Sequence, residues 1–355
     1  MHTVIKEDIN ELLANTADLS TRLKDKRFLV TGATGMIGQY LTHYLTEVTR
    51  SNGGSGHVTA HVRNQTKAEA MFSDHVNSGN FDLFVSDIED IDQFAGNVDY
   101  IIHAASPTQP QDFLERPVDI IKANVFATDS LLTTAKQQSA KLCLLSTLEI
   151  YGEIQASSYP VYATEDQYGA LDSIDLRSAY PESKRLAENL CVAHQQQYGT
   201  ESVIVRLSPT ISPIIDPTDN RVYAQFINFV ANKQDITMFS DAFDKKRTYT
   251  YIADAIIGIL VALIEPSKDE KVPTYNLANT DNVTSIGELA EAIIKVGGNQ
   301  VQLHVNERED TSNTSTSTGL ILLDSQKLRA AGWKPVYTLE KSITQTFKYV
   351  SSTLN

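Results

Sequence analysis

Tyr180 and Lys184, in the stretch "YPESK", stand four residues apart on one face of a helix that Pro181 helps to start. A phenol with a reference pKa of about 10 is a poor base at neutral pH. An ammonium group one turn away favours the phenolate, which would let Tyr180 take a proton from a substrate alcohol. Upstream, "LLSTLEIYG" runs from an apolar strand into Ser146, Thr147, Leu148 and Glu149. A hydroxyl at Thr147 suits the same substrate oxygen, and the set serves hydride transfer from a carbinol carbon to a nicotinamide. Glu149 needs a separate explanation, because a carboxylate just past a buried strand is costly unless solvated, paired or used. Plain alcohol oxidation has no use for it. Chemistry at the carbon beside a new ketone does, since a carboxylate there can move a proton or repel a departing carboxylate.

A Tyr-x-x-x-Lys pair by itself is common on solvated helix faces, and its weight comes from its company. "VTGATGMIGQY" puts Gly32, Gly35 and Gly38 between an apolar strand and a helix. Gly32 permits the tight turn, Gly35 lets the backbone approach a pyrophosphate, and Gly38 lets helix pack on strand. The phosphate then sits on the helix N-terminus, and Thr34, Met36 and Ile37 belong to the set expected to face the cofactor. The next strand, "HVTAHVR", ends in Val62 and Arg63. An acidic residue there would hold the ribose 2′-hydroxyl of NAD, whereas an Arg accommodates the 2′-phosphate of NADP. The residues alone lean to NADP, with a solvated surface Arg63 as the alternative.

These groups need a scaffold. Apolar runs at 27–32, 57–63, 82–86, 99–104, 141–146 and 202–207 alternate with helical stretches such as 117–137 and 180–198. That alternation predicts an α/β fold, a Rossmann-type doubly wound parallel sheet with a smaller C-terminal substrate-binding lobe. Residues 1–26 read as a helical extension and 27–208 as the dinucleotide-binding domain, with 236–270 returning to it. Residues 209–235 and 271–355 are assigned to the lobe. "LDSQKLRAAGWKP" near the end reads as structural, and the polar loop "TSNTSTST" at 311–318 receives no function.

Of the 355 residues, 41% are hydrophobic and 21% charged, as in an ordinary soluble globular protein. A net charge of −14 argues against nucleic acid as a broad-surface partner, though a local pocket can still bind a small anion. Cys143 and Cys191 give neither a disulfide framework nor a metal site, and suit a reducing compartment. "MHTVIKEDINELL" is amphipathic and acidic rather than a signal peptide, and "AIIGILVALI" is too short to span a bilayer. A cytoplasmic protein without a membrane partner is expected.

The glycine turn, "SDIED" with Asp87 and Ile88, and "HAAS" with Ala104, Ala105 and Ser106 resemble the extended branch of the short-chain dehydrogenase/reductase superfamily. The likeness covers nearly the whole chain from about residue 27. "ASPTQPQDFLERP", "STLEIYG", "EDQYGALDSIDLRSAYPESKRLAE" and "NRVYAQFI" are most similar to the UDP-glucuronate decarboxylases, with the nucleotide-sugar 4,6-dehydratases close behind. The resemblance implies Thr147, Glu149, Tyr180 and Lys184 as catalytic residues. It places Asp87 and Ile88 at the adenine edge and Ala104, Ala105 and Ser106 on the nicotinamide side. Asn124 would brace a helix near the active lysine, and Ser106, Thr147, Arg177 and Arg247 would meet a nucleotide-sugar. It also implies NAD as the cofactor, with NADP second because of Val62 and Arg63, and a homodimer formed by the helices that carry Leu131, Leu132, Leu186 and Leu190.

Three departures stand out. Leu148 replaces a hydroxyl or an acid, Pro209 replaces an Asn, and the 311–318 loop lacks an Arg. The expectation is an enzyme that oxidises C4 of a nucleotide-sugar transiently, as a decarboxylase does. A 4,6-dehydratase or epimerase is the alternative, followed by an NADP-dependent carbonyl reductase. A non-catalytic dinucleotide sensor would be expected to have lost Tyr180 or Lys184.

Overall fold

Seven short strands form one parallel sheet: β1 Arg27–Thr31, β2 His57–Val62, β3 Phe81–Val85, β4 Tyr100–His103, β5 Lys141–Thr147, β6 Ser202–Leu207 and β7 Thr274–Leu277. Their order across the sheet is β7-β6-β5-β4-β1-β2-β3, and each neighbouring pair is parallel. This computed structural model describes residues 1–107, 112–215, 218–265, 270–307 and 321–353, without the side chain of Asn52. Part of "ASPTQPQ" and the whole "TSNTSTST" loop lie outside the described residues.

Alternation along the strands sorts side chains onto two faces. Phe28, Val30, Val58, Ala60, Cys143 and Leu145 enter one core with the helices α3 Met36–Arg50 and α6 Ile252–Ile264. Leu29, Ile101, Leu142, Leu144 and Ile204 enter the other, against α4 Pro117–Gln138 and α5 Ala179–Tyr198. Both cysteines are buried free thiols, pushed up to about 12 by burial, which fits inert packing residues. Among the described residues no helix is long and apolar enough to cross a membrane, and no side-chain cluster could hold a metal ion.

The N-terminal extension is two helices, α1 Thr3–Asn15 and α2 Ala17–Leu23, rather than one. At Thr16 the hydroxyl donates to the Leu12 carbonyl and pairs with the Tyr44 hydroxyl, while its backbone leaves the helical region. The extension docks through Asp8, which is fully buried and accepts hydrogen bonds from Tyr40, Tyr251 and Gln345. After β6 the chain builds small paired strands, among them Lys246–Thr248 with Val283–Ser285 and Ile236–Phe239 with Leu303–Asn306. Thr274–Leu277, assigned to the lobe by sequence, is the edge strand of the main sheet. From the C-terminal "LDSQKLRAAGWKP", Trp333 is buried and donates its indole N–H to the Asp254 carbonyl.

Candidate active site

Strand order reverses between β1 and β4, and the connections after those strands meet there. Gly32 follows β1 with φ +66°, and a Cβ on it would stand 2.7 Å from the Ala105 Cα after β4. A Cβ on Gly38 would collide with the Gly32 carbonyl, so the helix start can lie this close only with glycine at both positions. Gly35 closes the turn by donating to the Gly32 carbonyl at 2.9 Å and begins α3. Above it lies a cavity of about 710 Å³ lined by Gly32, Thr34 and Gly35 from this turn and by Arg63, Asp87 and Ile88 from the next two strand ends. Ala104, Ala105 and Ser106 complete that side. A cradle that any side chain would fill, at the N-terminus of a long helix, fits a dinucleotide pyrophosphate. Met36 and Ile37 do not line the cavity: the Met36 sulfur accepts from Arg221 Nη1, and Ile37 packs on the core.

Thr147 ends β5, and its hydroxyl accepts from the Glu149 backbone N–H across a tight helical turn, Leu148–Tyr151. Tyr180 and Lys184 sit on the first turns of α5, 7% and 3% exposed. The structure does not put the Lys184 ammonium on the Tyr180 phenol. It donates to the Leu145 carbonyl of β5 at 2.8 Å, and burial lowers it to about 8. Burial and the charge of Glu149 hold the phenol well above its usual range, opposed by the Thr147 hydroxyl and by Arg177. Asn124 braces the two helices: its Nδ2 donates to Ser183 Oγ at 2.9 Å, and that hydroxyl donates to the Tyr180 carbonyl.

Glu149 is paired. Arg177 Nη2 donates to its Oε2 at 2.7 Å, from a short turn, Leu176–Ser178, immediately before α5. The Asp175 side chain fixes that turn by accepting the Arg177 backbone N–H. Burial still raises the Glu149 carboxyl above its ordinary range, with Arg177 pulling it back. The guanidinium lies 4.2 Å from the Phe113 ring centroid, and that ring stacks on Tyr180 at 4.7 Å. Phe113 gave no signal in the sequence beyond its place in a family-like segment. The same is true of His103, whose Nδ1 pairs with the Thr31 hydroxyl and which burial and Lys184 hold neutral, near 3. Leu148 packs against the apolar cluster of Ile150, Tyr151, Ala278 and Ile321, which accounts for an aliphatic residue there.

Arg247 lies on a lobe strand, its Nη1 donating to the Lys246 carbonyl, and no carboxylate pairs with it among the described residues. Among the described residues it shares no hydrogen bond or ion pair with Glu149, Tyr180 or Arg177. Ser106 Oγ donates, among the described residues, to the carbonyl of Pro107. Pro209 follows β6, and its carbonyl accepts the Thr250 N–H that joins two lobe strands.

Comparison with known proteins agrees with this fold. UDP-glucuronic acid decarboxylase 1 of Xenopus tropicalis is 28% identical over 91% of this chain and 72% of its own length. UDP-glucuronic acid decarboxylase 4 of Arabidopsis thaliana is 27% identical over 92% and 68%. Among solved structures, the UDP-glucuronic acid 4-epimerase of Bacillus cereus with UDP-glucuronic acid and NAD gives a TM-score of 0.76 at 20% identity, covering 92% of this chain and 99% of that one. The dTDP-glucose 4,6-dehydratase of Bacillus anthracis in complex with NAD gives 0.71 at 19% identity, over 92% and 97%. The NAD dependent epimerase/dehydratase family model matches residues 28–278, and the chain belongs to that family of enzymes.

Proposed function

We propose that this protein removes CO₂ from a nucleotide-linked uronic acid, with UDP-glucuronate as the first candidate, through transient oxidation at C4 of the sugar. The observation that carries this reading is the Glu149–Arg177 ion pair beside Tyr180 and Thr147 at the end of β5. An enzyme that only oxidises an alcohol has no task for that pair. The UDP-glucuronic acid decarboxylases among its relatives support the same reading.

A nicotinamide dinucleotide held over the glycine turn by Gly32, Thr34 and Gly35 would supply first the acceptor and then the donor of the C4 hydride. Tyr180 accepts the proton of the C4 hydroxyl, while Thr147 hydrogen-bonds the same oxygen. The positive charge of Arg177 favours the phenolate and offsets the opposing charge of Glu149. With C4 oxidised, the C6 carboxylate belongs to a β-keto acid. The C5–C6 bond breaks, CO₂ departs, and the electron pair moves onto the C4 oxygen as an enolate. Water or Tyr180 then protonates C5. Glu149 keeps negative charge beside the departing carboxylate, and no general acid is required at Leu148. A 4,6-dehydratase must protonate a leaving hydroxyl, which an aliphatic side chain cannot do. Epimerisation at C4 leaves Glu149 without a role.

The protein is also proposed to be a homodimer. Val118, Ile121 and Phe126 on α4, with Leu186 and Val192 on α5, are exposed apolar residues on two helices that pack together. Leu131 and Leu132 serve the monomer core instead, since both are fully buried. A panel of UDP-, dTDP-, GDP- and CDP-sugars with product mass measured tests the chemistry. A mass loss equal to CO₂ supports the reading, whereas loss of water or an unchanged mass with turnover contradicts it.

A further inference from the structure

The end of β2 takes no part in the chemistry at the sugar, yet His61, Val62 and Arg63 line the cavity over the glycine turn. In a doubly wound sheet this is where the adenosine ribose of a dinucleotide lies, and a carboxylate at this strand end holds its hydroxyls in NAD-specific sites. Here there is none. Val62 is 3% exposed and carries no acceptor. His61 is committed to the Ser86 carbonyl and hydroxyl through Nε2, and burial keeps it neutral, near 4. The Asn64 side-chain oxygen already accepts the Lys67 backbone N–H.

Arg63 is exposed, and among the described residues it has no hydrogen bond or ion pair. That is unusual for this cavity. The other arginine in its lining, Arg116, holds Asp119 at 2.7 Å, and Glu89 is held by Lys122. Lys67, four residues beyond Arg63, is likewise exposed, with no side-chain partner among the described residues. The other charged residues of the lining, Asp87, Asp90 and Asp112, are acidic. A second phosphate on the ligand therefore meets Arg63 as the uncommitted cation of the described lining, with Lys67 one helical turn further on.

We propose that Arg63 binds the 2′-phosphate of the adenosine ribose, with Lys67 adding charge, so that this cavity selects NADP over NAD. The guanidinium fork matches a phosphate with paired donors, which a ribose hydroxyl cannot exploit to the same degree. This rests on the reading that the cavity holds a nicotinamide dinucleotide, and the test separates the two ideas.

The probes are NADP⁺, NAD⁺, adenosine 2′,5′-bisphosphate and 5′-AMP, titrated calorimetrically into the full-length protein after removal of any copurified nucleotide. A hydrogen-bonded charge pair of about 1.5–3 kcal/mol corresponds to a preference for NADP⁺ of about tenfold or more. The bisphosphate should exceed 5′-AMP in the same direction. Arg63→Ala should weaken NADP⁺ and the bisphosphate by a similar factor and leave NAD⁺ nearly unchanged. Val62→Asp, which restores the missing carboxylate, should move the preference toward NAD⁺. Equal affinities in the native protein, tighter NAD⁺, or equal weakening of both dinucleotides in Arg63→Ala overturns the proposal. That last result describes a guanidinium resting on adenine. Binding of neither dinucleotide overturns the functional reading itself.

Discussion

Arg177 Nη2 stands 2.7 Å from Glu149 Oε2, and the same guanidinium lies 4.2 Å from the Phe113 ring that stacks on Tyr180. A strand end, a turn before α5 and a segment before α4 thus meet around one acid and one base. Glu149 and a Tyr180 phenolate would repel each other, and Arg177 makes their coexistence affordable.

Replacing Glu149 with Gln retains size and hydrogen bonding but removes the charge. C4 oxidation, read as a rise in reduced nicotinamide absorbance, should persist while product formation stalls. Native product turnover would reduce Glu149 to a structural partner of Arg177.

The pH dependence follows from burial. The Glu149 carboxyl is raised above the ordinary carboxylate range, and the proposed step needs it ionised. Activity should therefore fall on the acid side at a pH above that of a free carboxylate. Arg177→Ala removes the partner that pulls it back, so this acid limb should move to higher pH, and Arg177→Lys should partly restore it. An acid limb that is the same in all three enzymes would show that the ion pair is structural only.

Tyr180→Phe keeps the ring that stacks on Phe113 while removing the hydroxyl. Turnover should fall by about a hundredfold or more, the scale of acid–base catalysis. The dissociation constant for the dinucleotide should be nearly unchanged. Near-native turnover would remove Tyr180 from the mechanism.

Much of this site could be read from residue order. The glycine turn needs small residues at fixed offsets, and the strands stand out as short apolar runs. The lining from the glycine turn and the strand ends therefore followed from the sequence, whereas Asp112, Arg116, Asp119 and Ala123 did not. Pairings between distant segments could not be read. Lys184 was expected to favour the Tyr180 phenolate from one turn away, but the sequence does not tell that its ammonium meets the Leu145 carbonyl, 39 residues back. Nothing in "IDLRSAY" tells Arg177 to reach Glu149 rather than a ligand. β7 was missed because its strand follows a long helical run and reads like the lobe around it. Asp8 looks like one acid among several on an amphipathic helix, and its partners Tyr251 and Gln345 lie 243 and 337 residues away.

Asp8→Ala should leave buried tyrosyl hydroxyls without their acceptor, at about 1–3 kcal/mol for each unsatisfied group. Calorimetric unfolding should show a clearly lower Tm, with α1 released from the body of the protein. An unchanged Tm would mean that α1 docks through its apolar face alone.

On the outer face of α4, Phe126 is 60% exposed. Phe126→Glu should convert a dimer to a monomer by light scattering at micromolar concentration, because it buries a charge in an isologous contact. A native protein that is already monomeric would contradict the assembly.

The central claim is that CO₂ is lost from a C4-oxidised sugar through an enolate protonated at C5. Its most direct test is mass spectrometry of the product formed from UDP-glucuronate in D₂O. The account predicts a UDP-pentose lighter by CO₂ and carrying one deuterium, placed at C5. A product that retains the carboxylate, or no turnover of any UDP-uronic acid, would contradict it.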